Sequence, residues 1–368
     1  FNSVHSFTQS PIGPMFLVFL AIVLAVSVVL LSLRVHLMEP DGEFKSPVSR
    51  DAMFVLNNLL FVAFTFVVLI GTVFPLLAEA IRGVKISVGE PYFNLLSVPI
   101  GVAIVFLMGV GPALPWGRAT PKEVQRALGM PTVMGLLSLV VPVVMGWRNG
   151  WVLATWYVAG FAAAVSFREI FEPVGAIRRR KGIAWGPAGL EAFRRGRRRI
   201  GGHVVHLGVA MMAVSIATSG AFQASQELVL DKGESADVHG YTLRFDGADR
   251  YQEPHRSVVA ARISVMKDGE QLSVLSPRMN RYTGQMAPIG TPAVHSRVGE
   301  DLYLSVMQVD EQDAYVGLRI FINPLVSWLW VATGVMALGC GIALWPARRK
   351  DESLAAGPDA SEPAAATA

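Results

Sequence analysis

Seven long apolar stretches dominate the chain and leave few folds open to it. A bilayer's hydrocarbon core is about 30 Å thick and takes about 20 apolar residues of helix to cross. Runs of that kind fall at 15–33, 52–78, 95–115, 131–146, 151–167, 203–222 and 324–345. Only 16% of the 368 residues are charged and 52% are hydrophobic, against about 25% charged in a soluble domain. That deficit excludes a disordered chain, a collagen-like chain and a nucleic-acid module. The expected fold is a polytopic α-helical membrane protein of about seven transmembrane helices.

The fourth and fifth stretches, 16 and 17 residues long, are short for full crossings and flank Trp147-Arg148-Asn149-Gly150. A helical hairpin with a tight turn is the simplest reading. Basic residues test it. With the N-terminus outside, the inner stretches 34–51, 116–130, 168–202 and 346–368 carry 19 Lys and Arg, and the outer stretches 1–14, 79–94 and 147–150 carry 3. The positive-inside rule therefore supports seven crossings, with the C-terminus cytoplasmic. Arg178 to Arg199 weighs most, with nine basic residues against Glu191 alone. Topogenesis explains it; attraction to anionic lipid heads is the functional alternative.

Residues 223–323 differ in character, with ten basic and fourteen acidic residues. Alternation in Tyr241–Phe245, Val258–Val265 and Leu302–Met307, with the turn dipeptide Asp268-Gly269, predicts antiparallel strands. The organisation expected is a six-span helical region over 1–222, a periplasmic β-rich domain over 223–323, a final transmembrane helix over 324–345 and a disordered cytoplasmic tail over 346–368. The start at Phe1, without a methionine or a cleavable signal pattern, reads as the C-terminal part of a longer protein or a separately encoded half.

Polar groups inside a span are costly and point to function. Asn57 and Asn58 lie early in the second span, where hydrogen bonding between helices is the ordinary explanation, and Glu79 lies at its outer end. Cys340, the single cysteine, rules out a disulfide framework, a cysteine metal cluster and a CxxCH haem attachment. His239, His255 and His295 fall in the β-rich domain and His36 at the inner edge of the first span. His203 and His206 stand three apart, on one helical face at the start of the sixth span. Haem is the natural group for a histidine there, since its iron takes axial imidazole and its macrocycle packs between helices. His5 precedes the first span on the opposite side, so it and His206 cannot serve one iron; each lacks a partner unless His36 pairs with His206.

Seven stretches in order carry a family resemblance across some 330 residues. They are Ser3-Val-His5-Ser-Phe7; Ser49-Arg-Asp51 with Leu56-Asn-Asn-Leu-Leu60; Gly71-Thr72 with Pro75-Leu76; Ile86 to Asn94; Gly111-Pro112 with Pro115-Trp116; Gly201-Gly-His-Val-Val-His-Leu-Gly208; and Ile322 to Trp330. Together they resemble the C-terminal half of the CcmF family of cytochrome c-type biogenesis proteins, within the haem-handling superfamily shared with CcmC and CcsA.

The resemblance implies a component of a cytochrome c haem lyase, which binds haem and helps attach it to the CxxCH of apocytochrome c in the bacterial inner membrane. His5 would be an outer axial ligand of the transferred haem and His206 an axial ligand of a resident haem b. Each lacks its partner in this chain, because the family's tryptophan-rich WWD segment and partner histidines lie before Phe1. His203 matches no family ligand, and no catalytic residue is implied. The implied partners are the N-terminal half carrying the WWD segment, CcmH/CcmI-type subunits, the haem chaperone holo-CcmE, apocytochrome c and the lipid bilayer. A haem transporter or exporter without ligation activity, and a haem-b-binding respiratory subunit, are the alternatives. The first needs a continuous polar pathway and the second bis-His pairs or mid-span Lys and Glu, and neither is evident in the sequence.

Overall fold

The computed structural model describes residues 12–38, 46–84, 86–284 and 287–345. Helices α1 (Ile12–Arg34), α2 (Arg50–Arg82) and α3 (Glu90–Ala113) are followed by α4 (Pro121–Ser138) and α5 (Val140–Val144), which run on as one rod. Helices α6 (Gly150–Lys181) and α7 (Trp185–Phe222) lead into the strands β1 (Ala224–Asp231), β2 (Ser235–Val238), β3 (Tyr241–Glu253), β4 (Arg256–Lys267), β5 (Glu270–Leu275), β6 (Arg278–Tyr282), β7 (Ile289–Thr291), β8 (Ala293–Ser296), β9 (Glu300–Val309) and β10 (Tyr315–Pro324), which α8 (Trp328–Leu344) follows. Among the described residues six helices are long and apolar enough to cross a membrane, the α4–α5 rod counting as one, and α8 is a shorter apolar helix. This is a multi-pass helical membrane protein carrying a β-sandwich.

Four boundaries differ most from the hydropathy reading. The fourth span starts ten residues earlier, at Pro121, because Thr120 and Glu123 form a reciprocal capping box that nucleates helix in a polar stretch. The fifth span does not stop at residue 167. Helix α6 continues to Lys181, Gly182 ends it in the left-handed region, and α7 starts at Trp185. The stretch 168–202 between the two apolar runs is therefore a helical hairpin. At about 1.5 Å per residue, 38 residues of α7 exceed a bilayer core by far, so the basic end projects beyond it. At the other end strand continues through Pro324, and helix begins only at Trp328. The tail over 346–368 lies outside the described residues.

The Ser49-Arg50-Asp51 and Gly111-Pro112/Pro115-Trp116 stretches, far apart in sequence, meet as a clasp. Ser49 caps α2 through the Ala52 amide. Arg50 donates from Nε to the Leu114 carbonyl at 2.9 Å and from its terminal nitrogen to the Pro112 carbonyl, while its guanidinium lies over the Trp116 ring. Asp51 accepts from the Gly117 amide at 3.0 Å. Carbonyls at a helix C-terminus lack intrahelical donors, and the arginine supplies them to α3. Arg50→Ala should cost about 2 kcal/mol, in the range of hydrogen bonds to charged groups. Arg50→Lys should recover little, because an ammonium cannot bridge both carbonyls in a planar fork. Thermal unfolding in detergent, with both variants melting below the parent, checks this.

The sandwich has one sheet in the order β1-β10-β9-β8 and another in the order β2-β3-β4-β6-β7, with β5 paired to β4. The inward positions of β9, Leu302, Leu304 and Val306, meet Leu318, Ile320, Leu243, Phe245, Ile263 and Val265 in one core. The predicted strands are present: Tyr241–Phe245 opens β3, Val258–Val265 lies in β4 and Leu302–Met307 in β9. Asp268 and Gly269, both at positive φ, join β4 to β5 as the dipeptide suggests.

The sandwich sits on α7 and α8 by two adjacent connections. Helix α7 runs directly into β1 and β10 into α8, and these strands pair antiparallel from Ala224 opposite Ile322 onward. The Ser215 hydroxyl of α7 donates to the Leu325 carbonyl at 2.6 Å, and the Leu325 amide donates to Gly299 at 2.9 Å. Ser327 and Trp328, at the start of α8, donate to the carbonyls of Arg297 and Val298. The sandwich and the basic hairpin thus lie at opposite ends of α7.

Candidate functional site

Helix α7 carries the histidine pair, and its glycines decide which way the pair faces. Gly196 departs from helical geometry (φ −128°, ψ 23°) and kinks the helix within its basic stretch, before the apolar body. A Cβ on Gly201 would stand 2.5 Å from the Gly339 carbonyl oxygen and 2.6 Å from the Ala343 amide nitrogen of α8. A Cβ on Gly208 would stand 2.9 Å from the Ala332 carbonyl oxygen and 3.0 Å from the Met336 amide nitrogen. Small residues at such points let helix backbones touch within a bilayer. At about 100° per residue, Gly201 and Gly208 share one face, and His203 and His206 project from the opposite one. The imidazoles therefore point away from α8, into the side of the bundle where α6 packs on α7.

His203 is buried and His206 half-buried. Their rings touch edge to face, with centroids 5.5 Å apart and planes at 86°. Rings in edge contact on consecutive turns of one helix leave no room for a macrocycle between them. They cannot be the two axial ligands of a single iron, which approach from opposite faces. Both Nδ1 atoms are buried without a hydrogen-bond partner. Buried polar atoms are ordinarily satisfied, so the pair is chemically incomplete and fits a group that coordinates to or bonds with imidazole.

Beneath the pair lies a carboxylate that hydropathy hid. Glu169, buried on α6, is paired with Arg199 of α7 and, at 3.4 Å, with Arg168. Arg168 in turn donates to the Ala127 carbonyl at 2.6 Å. These residues follow the apolar run immediately, and the signal available was the helical phase of Val174 and Ile177, which continues that of the run.

The other candidates are dispersed. His5 lies outside the described residues. His36 is exposed in a 3-10 turn after α1, and α1 packs against α2 rather than α7, so His36 is not brought to His206. Asn57 is half-buried and Asn58 exposed on α2. His295 has its Nδ1 3.3 Å from the Ser273 hydroxyl. His239 occupies the β2–β3 turn at positive φ, facing a cavity at the foot of the sandwich.

Residues 221–324 match the family model described as the CcmF C-terminal beta-sandwich. The chain is 30% identical over 347 residues to the cytochrome c-type biogenesis protein CcmF of Pseudomonas aeruginosa, covering 93% of this chain and 51% of the relative. It is 28% identical over 352 residues to CcmF of Escherichia coli, covering 94% and 51%. Among solved structures it matches the cytochrome c heme lyase CcmF with a TM-score of 0.72 at 30% identity, covering 92% of this chain and 51% of that one. The chain spans about half the length of the curated relatives it matches.

Proposed function

We propose that this chain, homologous over nearly its whole length to the C-terminal half of the CcmF proteins, is the matching part of a cytochrome c haem lyase. The observation that carries the reading is His206. It stands in the Gly201–Gly208 stretch, on the α7 face turned away from α8, with a buried and unpartnered Nδ1. In this reading His206 would be one of the residues that hold a resident haem b, and the others would come from the half of the full-length relatives that this chain does not cover. When bound, that haem supplies an electron to keep the transferred iron reduced. The chain's own part is to hold the imidazole in a packed site that excludes water, with the Glu169–Arg199 pair closing the basic side.

His5, on the other side of the membrane, ligates the transferred haem. That haem arrives on a CcmE-type chaperone and leaves on apocytochrome c. Each CxxCH thiol gives up its S–H bond as sulfur bonds to one vinyl carbon and the hydrogen passes to the other. Nothing is expelled, and the ligation step itself neither oxidises nor reduces. Such an addition depends on orientation more than on protein acid–base groups. The sandwich faces the periplasm and provides the surface for CcmH/CcmI-type subunits and the chaperone, and the basic α6–α7 hairpin faces the cytoplasm of a bacterial inner-membrane protein.

The test is maturation in cells that lack both halves and are resupplied with them. Covalent haem staining of a reporter c-type cytochrome should vanish when this chain is omitted. It should fall at least about tenfold with His5→Ala, the scale of a lost metal-site interaction. Parent-level staining without this chain would exclude the lyase role.

A further inference from the structure

Between the basic ends of α6 and α7 lies a groove of about 340 Å³, within the roughly 300–1,000 Å³ typical of small-molecule sites. Each wall carries a break in its helix. On α6, Pro173 has no amide with which to bond the Glu169 carbonyl. On α7, Gly196 leaves helical geometry, and a Cβ added to it would meet nothing within 4 Å, so the groove is open there. Ile177 of α6 and Ala192 and Ile200 of α7 make the walls apolar. Around them stand Arg180, Arg195 and Arg199, all exposed.

The charges at the groove do not cancel. Glu169 is paired with Arg168 and Arg199, and Glu191 with Arg195 and, at 2.7 Å, with Lys181. Arg180 belongs to no ion pair among the described residues. Two carboxylates thus stand among five cations, a local excess of three. Arg195 and Arg199 each engage their carboxylate through one terminal nitrogen. A guanidinium has five N–H donors, so both keep donors for a second acceptor.

Depth decides which anion reaches the groove. Glu169 stands two residues past the apolar run 151–167 and Ile200 three before the run 203–222, so the groove opens where the hydrocarbon core ends. Phe171, two residues beyond Glu169, is 57% exposed and stacks on the equally outward Phe167. Apolar rings turned outward at that level are solvated by lipid. Topogenesis accounts for the number of basic residues on the hairpin, but not for three guanidinium groups gathered at one groove with apolar walls.

We infer that this groove seats the head of an anionic phospholipid. Its phosphodiester rests on Arg180, Arg195 and Arg199, and its glycerol and first acyl carbons lie against Ile177 and Ile200. Basic pockets between helices at a membrane surface hold such heads. A zwitterionic head would bring its own cation into a region already in positive excess, and a free phosphate has no apolar part for the walls. Seated there, the lipid ties α6 to α7 at the break in each helix. The inference stands apart from the haem-lyase reading.

The full chain in detergent is titrated with phosphatidylglycerol and, separately, with phosphatidylcholine. Native mass spectrometry counts the bound lipid, and the melting temperature is followed in parallel. One phosphatidylglycerol should be retained saturably and raise the melting temperature as the groove fills, while phosphatidylcholine should not. Arg180→Gln removes a cation that holds no carboxylate and should weaken phosphatidylglycerol about fivefold, the scale of one basic residue near a charged membrane surface. Gly196→Met keeps every charge, accepts a side chain at φ −128°, and should abolish the retained lipid by filling the groove. Arg194→Gln and Arg198→Gln, exposed on the same helix but outside the groove lining, should leave the affinity unchanged. A parent chain that retains no saturable phosphatidylglycerol would overturn the inference. So would equal losses in Arg180→Gln and Arg194→Gln, which would leave only diffuse charge, or full retention in Gly196→Met. Displacement of the lipid by an equal concentration of inorganic phosphate, or of a phosphoserine peptide, would overturn it in favour of a soluble anion or a protein partner.

Discussion

His206→Ala, in the protein assembled from both halves, should remove the b-type haem spectrum almost completely. The pyridine haemochrome per mole of protein is the measurement, and this chain purified without the N-terminal half should show little haem to begin with. The expectation follows from geometry. His203 and His206 cannot flank one iron, because their rings are in edge contact on consecutive turns, so the site has one imidazole to give from α7. Removing it would take away the only imidazole that this helix could offer the group. His203→Ala, by contrast, should keep haem near the parent level, although it empties a buried position beside the ligand. Haem retained at full occupancy by His206→Ala would remove that residue from the site; loss of haem in His203→Ala alone would transfer the role to its neighbour.

Gly339→Leu should be the most damaging substitution for the fold. A Cβ there would stand 2.7 Å from both the Gly201 carbonyl oxygen and the Val205 amide nitrogen, and neither can turn aside because both are helix backbone. The helices must separate. The cost should reach or pass the upper end of the roughly 1–3 kcal/mol usual for overpacking. Since α8 also anchors the sandwich, the damage should spread. Limited proteolysis should cut between α7 and the strands, and the melting temperature in detergent should fall further than in Arg50→Ala. Gly334→Leu, on the same helix but facing open space, is the control. Equal stability of the two variants would mean that the α7–α8 contact does not hold the molecule together.

Much of this architecture is legible in the chain. The seven apolar runs each correspond to a helix, and the alternation in Val258–Val265, together with Asp268-Gly269, marks a hairpin. What escaped has a common cause. Hydropathy reports where a helix meets lipid and not where the helix ends. The capping box at Thr120 and the buried Glu169 therefore fell outside the apolar windows although both belong to long helices. The candidate site was legible through the spacing of His203 and His206 and the stretch around them. The direction in which they point was not, because it depends on which face Gly201 and Gly208 give to α8. The cavity at the foot of the sandwich was beyond sequence reasoning altogether, since its lining is gathered from positions between Met145 and Pro324.

The pairing of β1 with β10 has a mechanical consequence. A domain hung from one linker swivels, but this one stands on two rails that are themselves hydrogen-bonded from Ala224 and Ile322 upward. Torque applied to the sandwich by a docking protein therefore has no free joint in which to dissipate. It passes down α7 as tilt or rotation of the helix that bears His206, so a load taken up by the sandwich is transmitted, in the manner of a crankshaft, to an imidazole sixteen residues back from Phe222.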